Sequence, residues 1–294
     1  MTTKKNNIVI IGNSPSSGST LLADILDSTG VSLCGQEIGV FGSARLYDFK
    51  NFKQNPFQTS MSSSIYTKRI SVFKKGLKSY ELSQKQWQET FDLSSTISDF
   101  TTLLYKHYIN IRGVQDGIIL FEKTPQNIGC IDAWLKAFPD QVVLIVVRNP
   151  LYVYQSLLKR GFPPSVAALT WLFDMAKVHS SPYKDKIKIL YYEELVSRPF
   201  DYVAEVLLDT FNITVDPQNL EKGYMENSYR QENTSRISSW QRKDPNAIVS
   251  ANINSLSEEQ MAFFHSAIKT KINTKYAEHL ELKDVMYKEL LEEY

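Results

Sequence analysis

The residues best suited to chemistry are Ser14-Pro15-Ser16-Ser17-Gly18-Ser19-Thr20. They follow an apolar run, Ile8 to Ile11, and precede Leu21, Leu22, Ile25 and Leu26, which fall on one side of a helix. A strand feeding a small loop and then a helix N-terminus offers free backbone N–H groups and the positive end of the helix dipole to one spot. Phosphate or sulfate is the natural guest, held by the amides and hydroxyls of Ser16, Ser17, Gly18, Ser19 and Thr20. A second anion pair stands further on. Arg148 ends the run Val142 to Val147, and Ser156 lies two helical turns later. A guanidinium fork and a hydroxyl at that spacing can meet at one phosphate. Taken singly, the same residues also suit an ordinary strand–helix connection.

Both groups need a scaffold of buried strands. Four short apolar runs, Ile8–Ile11, Ile118–Phe121, Val142–Val147 and Ile187–Tyr191, have the continuous hydrophobicity of strands covered on both faces. Helical patterns separate or follow them. Phe100, Leu103, Leu104, His107 and Ile111 recur at helical spacing, and Pro163 and Pro164 open a helix over Val166 to Val178. Val203, Val206, Leu207 and Phe211 mark another helix, and Ser257 with Gln260 forms a capping-box pattern. Alternating strands and helices predict an α/β fold with a central parallel sheet flanked by helices. Residues 39–95 break the rhythm with Ser, Lys and aromatics, among them Phe41, Tyr47, Phe49, Phe52, Phe57 and Tyr66. They suit an irregular acceptor-side insertion or lid, or else short helices packed on the core. Residues 1–294 are expected to form one domain.

Composition narrows the classes. The 294 residues are 43% hydrophobic and 22% charged, enough for a substantial core. A net charge of +1 argues against general attraction to nucleic acid or anionic membrane. The two cysteines, Cys34 and Cys130, form no CxxC pair and suit buried thiols in a reducing compartment. No apolar run has membrane-spanning length, and no signal peptide is visible, so a cytoplasmic location is expected.

Spacing excludes two familiar phosphate loops. A nucleotide-triphosphatase loop needs G-x-x-x-x-G-K-[ST], but Gly12 and Gly18 are one residue too far apart and Ser19 occupies the lysine position. A G-x-G-x-x-G dinucleotide loop fails because Gly12 has no partner at the required spacing. Pro15-Ser16-Ser17-Gly18-Ser19-Thr20-Leu21-Leu22 instead resembles the 5′-phosphosulfate loop of the sulfotransferases. Arg148-Asn149-Pro150 with Ser156 resembles their 3′-phosphate motif, and Arg160 fits a basic position one turn later. Glu122-Lys123-Thr124-Pro125 and Tyr192-Glu193-Glu194-Leu195 resemble two further elements of bacterial and glycan-type members. Arg236, Trp240, Arg242 and Lys243 resemble the closing segment. The four motifs occur in family order across most of the chain, least clearly over residues 39–110.

The resemblance implies the P-loop-type α/β sulfotransferase fold. It also implies transfer of a sulfuryl group from 3′-phosphoadenylyl sulfate (PAPS) to a hydroxyl or amine of a small-molecule acceptor, such as a specialised metabolite, releasing adenosine 3′,5′-bisphosphate (PAP). Ser16 to Thr20 would hold the 5′-phosphosulfate, Arg148 and Ser156 the 3′-phosphate, with Arg236 nearby. Tyr192 or Trp240 would border the adenine, or else pack in the core. No metal, nucleic acid or membrane partner is implied. One departure stands out: family members usually place Lys or Arg where this chain has Ser16. Lys123 is the natural substitute for that cation, and Glu37 occupies the place of the catalytic base in several glycan-type members. A PAP-binding module without catalysis and a P-loop small-molecule kinase are the competing readings.

Overall fold

The computed structural model describes residues 8–35, 37–54, 60–61, 70–71, 80–226 and 256–272. In chain order the elements are β1 (Ile8–Asn13), α1 (Ser19–Leu26), β2 (Ser32–Cys34), α2 (Phe49–Gln54), β3 (Ser60–Met61), β4 (Ile70–Ser71), α3 (Gln84–Asp92) and α4 (Ile97–Ile111). They continue with β5 (Ile119–Lys123), α5 (Ile131–Ala137), β6 (Val143–Val147), α6 (Pro150–Lys159), α7 (Pro164–Ser180), β7 (Ile187–Tyr191) and α8 (Tyr192–Ser197). The last are α9 (Pro199–Phe211), α10 (Pro217–Glu226) and α11 (Glu258–Ile272). Short 3₁₀ turns occupy 44–47, 125–130 and 184–186.

Five strands form one parallel sheet in the order β2-β5-β1-β6-β7. The four apolar runs are its four longer strands. Alternation divides their side chains between two faces. Ile8, Ile10, Val143, Ile145 and Val147 pack with Phe100, Leu104, Trp134 and Trp171. Val9, Ile11, Leu144 and Val146 pack with Leu22, Ile25, Val203, Leu207 and Leu220. The edge strand β2 has no counterpart among the sequence expectations. It is three residues long, and its Cys34 N–H donates to Asp27 Oδ1 at 2.9 Å.

The central position of β1 decides where chemistry can occur. Its register sets Ile11 beside Lys123 of β5 and Asn13 beside Val146 of β6. The loop after β1 therefore emerges between Lys123 on one side and Arg148, one residue past β6, on the other. This is the carboxyl end of a parallel sheet at its switch in strand order, the usual ligand crevice of such folds. Gly12 permits a close approach there: a Cβ on it would lie 2.7 Å from the backbone N of Ile128.

Two elements differ in detail from the sequence pattern. On α4 the buried stripe is Phe100, Thr101, Leu104, Tyr105, Tyr108 and Ile109, while Ile111 is exposed. Tyrosines take the inner face because their hydroxyls find partners: Tyr105 donates to the Ile118 carbonyl, and Tyr108 accepts from Arg112. Arg112 in turn forms a buried bidentate pair with Asp27, at 2.8 and 3.0 Å, joining the end of α1 to the end of α4. Within residues 39–95, Phe41, Phe49, Phe52, Tyr80 and Trp87 are buried. Phe49 and Phe52 pack against Phe91, and Phe91 stacks on Phe100 at 4.6 Å. These aromatics stabilise the core, while Phe57 and Tyr66 lie outside the described residues. The Ser257–Gln260 capping box forms at the start of α11. Among the described residues, no helix is long and apolar enough to cross a membrane.

Candidate active site

The loop between β1 and α1 is bent by two left-handed residues, Ser16 at φ 71° and Gly18 at φ 80°. Such a conformation turns successive N–H groups toward one concavity. Gly18 caps α1 without a side-chain hydrogen bond, and the first turn of α1 carries no acidic residue. The positive end of this helix is thus left for an outside anion. Ser17 Oγ is buried and has no hydrogen-bond partner among the described residues.

Positive φ is costly for serine, so Ser16 must be held from outside. Two arginines do this. Arg148 Nη1 donates to the Ser16 carbonyl at 2.8 Å, and Arg160 Nη1 donates to Ser16 Oγ at 3.0 Å. Arg160 is the residue that ends α6, so that helix carries its guanidinium to the loop. The chain therefore lacks a cation at position 16 but sets two guanidinium groups against it. Neither contact was foreseen; a hydrogen bond across more than a hundred residues leaves no local periodicity.

Arg148 is only 8% exposed. Burial pushes its pKa down, against the opposing pull of Tyr192, Glu193 and Tyr152. Its guanidinium carbon lies 4.4 Å from the centre of the Tyr192 ring. The Arg148 carbonyl accepts from Trp171 Nε1 on α7. Its Nε is buried with no hydrogen-bond partner among the described residues. Tyr192 opens α8 and is itself buried; a Cβ on Gly18 would meet its ring at 2.1 Å. Loop, tyrosine and arginine thus form one packed stack. Ser156 lies half-buried on α6, further along the helix that follows Arg148. Arg236 and Trp240 lie outside the described residues.

Lys123 and Glu37 come together on the other side of the loop. Lys123 Nζ lies 2.6 Å from Glu37 Oε1 and 3.5 Å from Thr20 Oγ1. Their side chains are 5% and 17% exposed. A clamp from β5 fixes the segment bearing Glu37. Glu122 Oε1 accepts from the Ile38 N–H at 3.1 Å and from the Thr124 hydroxyl at 2.6 Å, while Oε2 accepts from Asn127 Nδ2 at 2.7 Å. Thr124 Oγ1 also accepts from the Gly39 N–H. Alternation along β5 explains the arrangement: Glu122 and Lys123 point to opposite faces, so one holds the chain and the other reaches the loop.

Asp174 of α7 is buried near Ser14 and Lys177. Burial raises its pKa from 3.8 to about 7, partly offset by Lys177 and Ser14. The folded state keeps this proton across a range where the unfolded chain has lost it. Stability from this group is thus complete below pH 3.8 and lost as pH rises toward 7. The full effect is at most about 4 kcal/mol. The wild-type melting temperature should therefore fall more steeply between pH 5 and pH 8 than that of Asp174→Asn. Equal slopes in calorimetry would refute this origin.

Among the described residues, no group of three or more His, Cys, Asp or Glu side chains could hold a metal ion. Comparison with known proteins adds the following. The sulfotransferase family model matches residues 7–217. No curated protein matches the chain. The sulfotransferase domain of the olefin synthase from Synechococcus PCC 7002 is 16% identical, with a TM-score of 0.53 over 90% of this chain and 96% of its own. A sulfotransferase from Mycobacterium avium is 12% identical, with a TM-score of 0.44 over 91% of this chain and 77% of its own. One from Alicyclobacillus acidocaldarius is 13% identical, with a TM-score of 0.42 over 84% and 99%. The first of these shares the fold.

Proposed function

The chain belongs to the sulfotransferase family, and from that membership we propose that it transfers the sulfuryl group of PAPS to a hydroxyl or amine of a small-molecule acceptor. One observation carries the reading: two buried donors without partners among the described residues, Ser17 Oγ and Arg148 Nε, belong to the same left-handed loop and to the arginine bonded to it. Buried donors of this kind are rare unless a ligand or water completes them. An anion suits both, and it also suits the uncapped start of α1. The residues therefore fit PAPS, with Ser16 to Thr20 holding the 5′-phosphosulfate and Arg148 and Ser156 the 3′-phosphate. Tyr192, packed on Gly18 and Arg148, fixes the arginine in place.

PAPS supplies the sulfuryl group: its sulfur–oxygen bond to the 5′-phosphate breaks as the acceptor atom binds sulfur, and PAP leaves. The protein must stabilise charge growing on the bridging oxygen and take a proton from the acceptor. Lys123, beside Thr20, supplies the first function, with Arg160 adding positive charge from the Ser16 side. Glu37 takes the proton. The ion pair between Lys123 and Glu37 makes the two roles interdependent, because each side chain fixes the position of the other.

Calorimetric titration with PAP and with AMP tests the cofactor assignment, alongside transfer from radiolabelled PAPS to a panel of acceptors. PAP should bind at least about tenfold more tightly than AMP, and Arg148→Met should erase most of that margin. Preference for magnesium-ATP would instead make the protein a kinase. Tight PAP binding without transfer to any acceptor would make it a binding module.

A further inference from the structure

Beside the loop lies a cavity of about 120 Å³ that the donor-binding residues do not account for. Asn13 and Pro15 bound it on one side, Gln126 and Ala44 on a second, and Asp174 and Lys177 of α7 on a third. Its position is informative. Asn13 ends β1, Pro15 belongs to the loop, and Gln126 follows Lys123 by three residues. The cavity therefore opens beside the start of the donor loop and the turn that follows β5.

The wall sets three buried oxygens beside the Lys177 side chain. Asn13 Oδ1, Gln126 Oε1 and Asp174 Oδ2 are all buried and lack hydrogen-bond partners among the described residues. Asn13 is 1% exposed and Asp174 3%. The Asn13 amide nitrogen is already engaged, donating to the Ser14 carbonyl, so its oxygen is the end left over. Two amide oxygens, a carboxyl that keeps its proton up to about pH 7 and the Lys177 ammonium call for a guest that both donates and accepts several hydrogen bonds.

We propose that this cavity is the acceptor subsite and that it takes a neutral polyhydroxyl group about the size of one sugar or cyclitol ring. It rests on the sulfotransfer reading for the identity of its reacting neighbour. Size supports the assignment: at roughly 10–15 Å³ per water-sized atom, the space holds about 8–12 heavy atoms. Chemistry separates three guests. A phenol brings one hydroxyl and strands the other oxygens, each at a cost of about tenfold in affinity. An ammonium would meet Lys177, whose own positive charge already offsets Asp174. Several neutral hydroxyls satisfy all three oxygens without adding charge. Of the two readings that the sequence allows for residues 39–95, Phe41, Phe49 and Phe52 follow the second and pack in the core.

Binding of myo-inositol, methyl glucoside, 4-nitrophenol and ethanolamine to the full chain, with and without PAP, tests this by ligand-observed NMR. The two polyols should bind at millimolar concentration, at least about tenfold better than the phenol or the amine. Ala44→Phe, at an exposed rim position, should weaken polyol binding about tenfold or more and leave PAP affinity within about twofold. Asp174→Asn keeps the shape and should weaken polyols several-fold. Preference for the phenol or the amine overturns the proposal, as does failure of both polyols to bind, or polyol binding unchanged in Ala44→Phe. Loss of PAP binding in the wild type would overturn the sulfotransfer reading instead, and polyol binding is measured independently of it.

Discussion

Lys123→Met is expected to lower sulfuryl turnover by about 10²–10³-fold while changing PAP affinity by less than about threefold. The asymmetry follows from where the ammonium sits. Lys123 Nζ is 3.5 Å from Thr20 Oγ1, at the loop end assigned to the sulfuryl group, on the side away from Arg148. PAP has lost the sulfuryl group, so its binding draws chiefly on the loop amides and Arg148. Charge on the bridging oxygen grows only during transfer, and Lys123 is worth most at that moment. The ion pair with Glu37 complicates a single substitution, because removing the lysine also takes the ammonium away from a largely buried carboxylate. A double-mutant cycle separates the two effects. In a Glu37→Gln background, Lys123→Met should still cost at least about tenfold if the ammonium acts on the leaving oxygen. If its only task were to hold Glu37, the second substitution would do nothing. Wild-type turnover in Lys123→Met itself would remove the residue from the mechanism.

The strands were legible because burial on both faces demands uninterrupted apolar runs, and Val143–Val147 leaves no other solution. β2 was not, since Ser32–Cys34 is too short for a pattern and is tied down by Asp27 from α1. On α4 the hydrophobic spacing identified the helix but missed part of its inner face, where tyrosines rather than Leu103 and Ile111 are buried. Tyr105 and Tyr108 go inside because their hydroxyls are satisfied by Ile118 and Arg112, which no local pattern reveals.

The site divides in the same way. Loop composition and the Arg148–Ser156 spacing suggested anion chemistry from the residues themselves, while Glu37 and Lys123 stood out only through family resemblance. Their contact depends on Glu122, which lies fully buried and binds Ile38, Thr124 and Asn127. In the sequence it is one carboxylate in a charged motif. In the fold it is the clamp that brings residue 37 back to the loop. Arg160 shows the same limit: a guanidinium from the end of α6 stands against Ser16, where the family expects a side chain from the loop itself.

Gly18→Ala is expected to raise the PAP dissociation constant by at least about 30-fold. Two costs coincide. At φ 80° an alanine is strained by roughly 1 kcal/mol. The added Cβ would also fall 2.1 Å from the Tyr192 ring, so the ring must move. Moving it is the greater cost, because the ring lies against the Arg148 guanidinium, and Arg148 in turn holds the Ser16 carbonyl. One methyl group thus displaces the loop and its arginine together. The two costs separate experimentally. Gly18→Ala with Tyr192→Ala restores room but leaves the backbone strain and the lost ring. If ring displacement dominates, the double variant should bind PAP no worse than Tyr192→Ala alone, apart from about fivefold for strain. If the two substitutions simply multiply, the steric chain from Gly18 through Tyr192 to Arg148 is not what holds the anion site together.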